Sequence, residues 1–184
     1  MKWQRTGDDS CHTSWMILRP AEPADALAVA RVHVRSWQAA YRGLLPDAYL
    51  DQLRPEDRAE QYDFSNLYPS KPRTMVAVER KSIQGFVTTA SSREPDLADY
   101  GELSALYVDP DQWGRGIGVG LVSAARTRLI SVGYRNAFLW VLVGNARAER
   151  FYRSDGWARD GVRRTGLVWG VSVDEVRFRR RLAD

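Results

Sequence analysis

Cysteine is almost absent from this chain: Cys11 is the only one among 184 residues. A lone thiol excludes an intramolecular disulfide framework and a cysteine-rich zinc site, and it makes a reducing cytoplasm the expected compartment. Long apolar runs are also missing. No segment stays apolar for the ~18 residues of a membrane span, and the first residues lack the apolar stretch of a signal peptide. The net charge of +4 is modest for the length. Arginine greatly outnumbers lysine and crowds the C-terminus, but no nucleic-acid motif with interleaved aromatics accompanies it. There is no internal repeat, no low-complexity linker, and no Gly-Lys followed by Ser or Thr that would make a P-loop. A basic surface of this size suits a polyanionic small molecule as readily as nucleic acid.

The length allows one domain with a full hydrophobic core. Residues 1–14 are polar and unpatterned and read as an extension preceding a domain over 15–184. Trp15 to Arg19 reads as a first strand. Pro23 and Asp25 open an amphipathic helix in which Ala26, Val29, Ala30, His33, Val34, Trp37 and Tyr41 recur at three- and four-residue spacing as far as Gly43. Pro46 and Pro55 each start a short helix. Thr74 to Glu79 and Gly85 to Ser91 read as a hairpin, followed by an irregular acidic stretch, Ser92 to Tyr100. Beyond a fourth strand and a second long helix, Asn136 to Val143 is apolar on both faces and reads as an interior strand. Asn145 caps a helix to Asp155, and Trp157 to Arg164 with Val168 to Arg180 make a final hairpin. The order indicates one α/β layered domain with a mixed sheet.

The densest signal lies between the fourth strand and the helix after it, Glu102-Leu-Ser-Ala-Leu-Tyr-Val-Asp-Pro-Asp-Gln-Trp-Gly-Arg-Gly-Ile-Gly-Val-Gly-Leu121. Glycines at 114, 116, 118 and 120 permit positive φ and bring backbone N–H groups within reach of a ligand. Ile117, Leu121, Ala125 and Leu129 form an apolar stripe, so the turn sits on a helix N-terminus, where unpaired N–H groups and the helix dipole attract anions. A Rossmann turn is excluded because the glycines alternate and fall in the second half of the chain.

This stretch resembles the acyl-CoA loop of the GNAT superfamily of N-acetyltransferases, (Arg/Gln)-x-x-Gly-x-(Gly/Ala) after a strand ending Val-x-Pro. Trp113 stands where the family prefers Arg or Gln, which removes one polar side chain and leaves the backbone donors. A second match follows in register: Asn145-Ala-Arg-Ala-Glu-Arg-Phe-Tyr-Arg-Ser-Asp-Gly-Trp157 fits Asn-x-x-Ala-x-x-x-Tyr-x-x-x-Gly-Phe/Trp. The helix Val-His-Val-Arg-Ser-Trp-Gln-Ala-Ala-Tyr-Arg-Gly-Leu-Leu-Pro also looks like the opening of many bacterial members.

The resemblance implies a GNAT-like fold, with a mostly antiparallel mixed sheet of about seven strands, splayed between strands four and five, and helices on both faces. It implies an acetyl-CoA-dependent N-acetyltransferase that works by direct attack of a primary amine in a ternary complex, with no metal and no acyl-enzyme on Cys11. Loop residues Gly114, Arg115, Gly116, Ile117, Gly118 and Val119 would hold the diphosphate. The main chain of Leu106, Tyr107 and Val108, together with Asn145, would hold the pantetheine arm. Glu102 stands where several members keep a general base, with Asp99 or a water chain as alternatives, and Tyr152 occupies the position of the general acid. Trp37 and Tyr41 would line the acceptor pocket or serve as core aromatics. The acceptor would be a small molecule or peptide, and family analogy points to a homodimer through the C-terminal strands. The alternative function is an acyl-CoA sensor that binds without turnover.

His33 reads as a packed helix residue, and Arg177-Phe-Arg-Arg-Arg181 reads as alternating charge on an edge strand.

Overall fold

The computed structural model describes residues 16–66, 68 and 71–182, together with the backbone of residues 2–3. Trp15, and residues 1 and 4–14 of the polar leader, Cys11 among them, lie outside the described residues. One eight-stranded sheet runs through the domain in the order β1-β2-β3-β4-β5-β6-β8-β7. Its strands are β1 (Lys2–Trp3), β2 (Met16–Pro20), β3 (Arg73–Glu79), β4 (Ser82–Ser91), β5 (Gly101–Val108), β6 (Asn136–Leu142), β7 (Ala158–Val168) and β8 (Val171–Arg181). Apart from the two-residue β1, these are the expected seven. All neighbours pair antiparallel except β5 and β6, which are parallel.

Helices cover both faces. On one lie α1 (Ala26–Ala40), α2 (Asp47–Gln52) and α3 (Pro55–Ala59); on the other lie α4 (Ile117–Ser131) and α5 (Ala146–Ser154). The α1 start is built locally: Pro23 to Asp25 form a 3-10 turn, the Glu22 amide donates to Asp25 Oδ2 at 2.8 Å, and Arg19 pairs with the same carboxylate at 2.7 Å. The α4 stripe is buried as its spacing requires, with Ile117, Leu121, Ala125 and Leu129 all at 2% exposure or less. It packs with Leu103, Leu139 and Phe178 in the main core. A second apolar cluster under α1 joins Val29, Val32, Val76 and Phe86. A third joins Trp37, Leu45 and Leu50 to Val173 of β8 and so bridges the two halves of the sheet. Among the described residues no helix is long and apolar enough to cross a membrane.

Two readings of the C-terminal hairpin are corrected. Val168 ends β7 rather than opening β8, because the turn falls at Trp169 and Gly170, which both take positive φ (52° and 80°). Paired positive φ angles make the tight turn whose twist suits a two-residue hairpin. Trp169 is held in that uncommon conformation by stacking on Trp37 at 4.2 Å, by Arg58 over its ring at 4.3 Å, and by the Tyr49 hydroxyl donating to its carbonyl at 2.8 Å. The basic run is not on an edge: β8 lies between β6 and β7. Arg177 is buried there, donating to Asp160 at 2.7 Å and to Asp96 at 2.7 and 3.0 Å, which ties the 3-10 turn Pro95–Leu97 to the sheet.

Candidate active site

The site begins with an interruption of the sheet. β5 and β6 pair only at Gly101 with Ala137 and at Glu102 with Phe138, after which the two strands part. The cause lies one strand away. Thr88 and Thr89 of β4 face Ala105 and Leu103, so Ser104 is an extra, exposed residue in β5. Such a bulge bends its strand and increases the local twist. Leu103 to Val108 are thereby left with no strand on their β6 side.

A cavity of about 670 Å³ fills the gap and runs from the glycine loop to the β7–β8 wall. Its loop end is main chain. None of the described backbone hydrogen bonds is donated by the amides of residues 114 to 119, and the first helical bond is Gly120 N to Gly116 O at 3.1 Å. Six free N–H groups on a helix N-terminus form an anion cradle. The turn depends on Gly114 and Gly116, at φ of 76° and 80°. Gly118 and Gly120 lie inside α4, so the expected positive φ holds at two of the four glycines. Gly118 instead permits close packing, since a Cβ there would lie 3.3 Å from the Phe151 ring.

The loop is anchored from beneath. The Val108 carbonyl accepts from both Ser36 Oγ and Trp113 Nε1 at 2.8 Å, and Arg35 of α1 pairs with Asp109 at 3.3 Å and Asp111 at 2.7 Å. The indole that replaces the family's polar side chain therefore fastens the loop to the strand end.

Of the residues expected from sequence, Leu106, Tyr107, Val108, Gly114, Gly116, Ile117, Gly118, Val119 and Asn145 line this cavity. Arg115 does not; its guanidinium points to the Gln112 side chain. Asn145 Oδ1 caps α5 by accepting from Ala148 N at 3.1 Å, which leaves its amide NH2 available. Tyr152 reaches the cavity from α5, and burial, with Tyr107 and Asp155 nearby, pushes its phenol well above the ordinary value. It is a neutral O–H at any working pH.

The opposite end is built from side chains. Glu102 lines the cavity at 8% exposure, and burial raises its pKa above the usual carboxylate range, against the pull of Arg93 and Arg164. Asp99, the alternative base, is exposed and outside the cavity. Across the gap, Arg164 donates to Glu175 at 2.8 Å and Glu94 at 2.7 Å while lying over the Trp140 ring at 4.0 Å. Trp37 and Tyr41 line the same end, and Trp37 also belongs to the bridging core, so pocket and core roles coincide there.

His33 is buried beneath, with its Nδ1 2.5 Å from the Tyr62 hydroxyl. Burial, then Arg58, depresses its pKa, so it is a neutral packed imidazole outside the cavity.

Arg93, Trp140, Arg147, Arg164 and Glu175 also line the cavity, and sequence reasoning missed them. Only Arg147 lay inside a recognised motif. The others come from strands and a loop that meet only in the folded sheet. Among the described residues no group of three or more His, Cys, Asp or Glu could hold a metal ion.

Comparison with known proteins agrees with this geometry. The family described as Acetyltransferase (GNAT) family matches residues 34–157. The uncharacterized N-acetyltransferase YuaI of Bacillus subtilis is 27% identical over 161 residues, which is 83% of this chain and 91% of that protein. PaiA N-acetyltransferase from Thermoplasma acidophilum, solved in complex with coenzyme A, superposes with a TM-score of 0.65 at 18% identity over 90% of this chain and 98% of that one. The putative acetyltransferase yncA from Salmonella typhimurium, solved with acetyl-CoA, gives 0.67 at 20% identity over 92% and 95%.

Proposed function

This chain belongs to the Acetyltransferase (GNAT) family, and we propose that it acetylates a primary amine by direct attack on acetyl-CoA within a ternary complex. The observation that carries this reading is the opening between β5 and β6 beside six uncommitted amides. That arrangement suits a diphosphate joined to an extended arm, which can bond to strand backbone as an added strand would. The neighbours solved with coenzyme A and acetyl-CoA support the same occupant.

Acetyl-CoA supplies the activated acetyl group. An alkylamine has a pKa near ~10.4 and must lose a proton before it is nucleophilic. Glu102 takes that proton, directly or through water, and its raised pKa makes it a better base near neutrality than an exposed glutamate. Main-chain N–H groups on the unpaired side of Leu106 to Val108 stabilise charge developing on the carbonyl oxygen. Tyr152 directs its O–H toward the departing sulfur as a hydrogen bond; a thiolate with a pKa of ~8.5 needs only a weak donor. Trp37 and Tyr41 shape the acceptor end, and Asn145 offers its NH2 to the pantetheine arm. The proposed acceptor is a small molecule or peptide, and the proposed compartment is the cytoplasm.

The test is a screen of amines with acetyl-CoA, reading both free-thiol release and acetylated product. Thiol release that depends on an amine and yields its acetyl derivative is the expected outcome. Binding of acetyl-CoA without turnover on any amine would favour a sensor instead.

A further inference from the structure

Trp113 stands where the family prefers an arginine or glutamine, and the structure supplies a cation to the loop from elsewhere. The guanidinium carbon of Arg147, in the first turn of α5, lies 3.5 Å from the centroid of the Trp113 ring. The indole cannot turn away, because its Nε1 donates to the Val108 carbonyl at 2.8 Å. Arg147 makes no ion pair and no hydrogen bond with any described residue, whereas Arg164, also on the cavity wall, is spent on Glu94 and Glu175. Both Trp113 and Arg147 line the cavity beside the free amides of the glycine loop.

We propose that Arg147, held over the Trp113 ring, is the side-chain ligand for the cosubstrate's diphosphate, replacing the polar residue that the loop lacks. This rests on the acetyl-CoA reading above. Stacking occupies the faces of a guanidinium and leaves its five N–H bonds in the plane, where they can meet phosphate oxygens two at a time. Partial burial removes some of the cation's water and lowers its pKa from the ordinary value, so an incoming anion restores what solvent no longer provides. Trp113 is on this view a positioning residue: it fixes where the guanidinium lies and touches no phosphate itself. Arg115, which does not line the cavity and donates to the Gln112 side chain, is the weaker candidate for the same task.

The test is calorimetric titration of the full chain with CoA and with 3′-dephospho-CoA, alongside turnover of S-acetylpantetheine, which has no diphosphate. Arg147→Gln is expected to weaken both CoA ligands alike by about tenfold and to leave S-acetylpantetheine turnover unchanged. Trp113→Phe keeps a ring under the guanidinium but loses the Nε1 bond that fixes it, and should lose binding by less than Trp113→Leu. Trp113→Leu should lose as much as Arg147→Gln, and the double variant should lose no more than either. Binding by Arg147→Gln within about twofold of wild type would overturn the proposal. So would a loss that disappears with 3′-dephospho-CoA, a loss shared by S-acetylpantetheine, or a larger loss in Arg115→Gln. A wild-type chain that binds no CoA would instead sink the acetyltransferase reading itself.

Discussion

Around the start of α4 the cavity wall is main chain: six amides without acceptors, set by two glycines in left-handed conformation. Around Glu102 it is side chain: a buried carboxylate from β5, a tryptophan from β6, a glutamate from β8 and an arginine from β7. The two ends differ in what mutation can reach. Side-chain replacement within residues 114 to 119 leaves every amide in place, so those contacts fail only when the backbone path changes, with Arg147 the one side chain proposed to add to them. The end beside Glu102 fails one group at a time, and under the proposed function its charges can be altered to change the acceptor without disturbing the cosubstrate.

The comparison breaks most visibly at Glu102. Glu102→Gln should lower kcat by about a thousandfold, within the range for a lost general base, with the KM for acetyl-CoA nearly unchanged. Wild-type kcat/KM should fall on the acid side of a pKa above the usual carboxylate range, because burial raises that of Glu102; this limb should vanish in the variant. A pH profile identical in both proteins would remove Glu102 from the base role. Tyr152→Phe is next, with kcat down about a hundredfold; steady-state rates equal to wild type would leave Tyr152 as packing alone.

The loop end should respond to backbone instead. Gly116→Ala imposes a side chain at φ 80°, costing about 1–2 kcal/mol. That cost should appear as weaker CoA binding or a lower thermal midpoint, while Val119→Thr, at an exposed position, should change neither. Equal effects from the two would mean that the side chains of residues 114 to 119 matter as much as their backbone path.

The smallest expected effect concerns what lies under the cavity. His33 is neutral when folded and its pKa is depressed, whereas the unfolded residue takes up a proton near pH ~6.5. Stability from this group is therefore complete above that pH and declines as pH falls toward the folded pKa, by at most about 1.4 kcal/mol per pH unit. Urea midpoints of wild type and His33→Gln between pH 7 and pH 5 check this; parallel slopes would show that another group carries the dependence.

The same contrast explains what could be read in advance. Backbone demands leave a trace in sequence, since only glycine takes the φ of 114 and 116 freely, and a helix stripe repeats every three or four residues. Helix limits, the interior β6 and the Asn145 cap all follow from such local rules. The end beside Glu102 has no local rule. Arg164, Glu175 and Arg93 are separated along the chain and meet because β7, β8 and a loop converge on the gap. Arg177 misled for a related reason: alternating charge suits an exposed edge, and only the strand order shows that two aspartates neutralise it inside the sheet. The turn at Trp169 broke the usual preference for small residues because its indole is gripped from three sides.

Ser104 has a further consequence. In an unbroken strand residues an odd number apart point to opposite sides, so Glu102 and Tyr107 would be separated by the sheet. The one supernumerary residue resets that parity downstream. The carboxylate then shares a side with Tyr107, and Leu106 and Val108 turn toward α4. Deleting Ser104 would therefore take out the bend and keep every remaining side chain on its present side, whereas drawing Ser104 into the ladder would invert half a strand, sending an acid into the oil beneath α4 or greasy residues into the cavity.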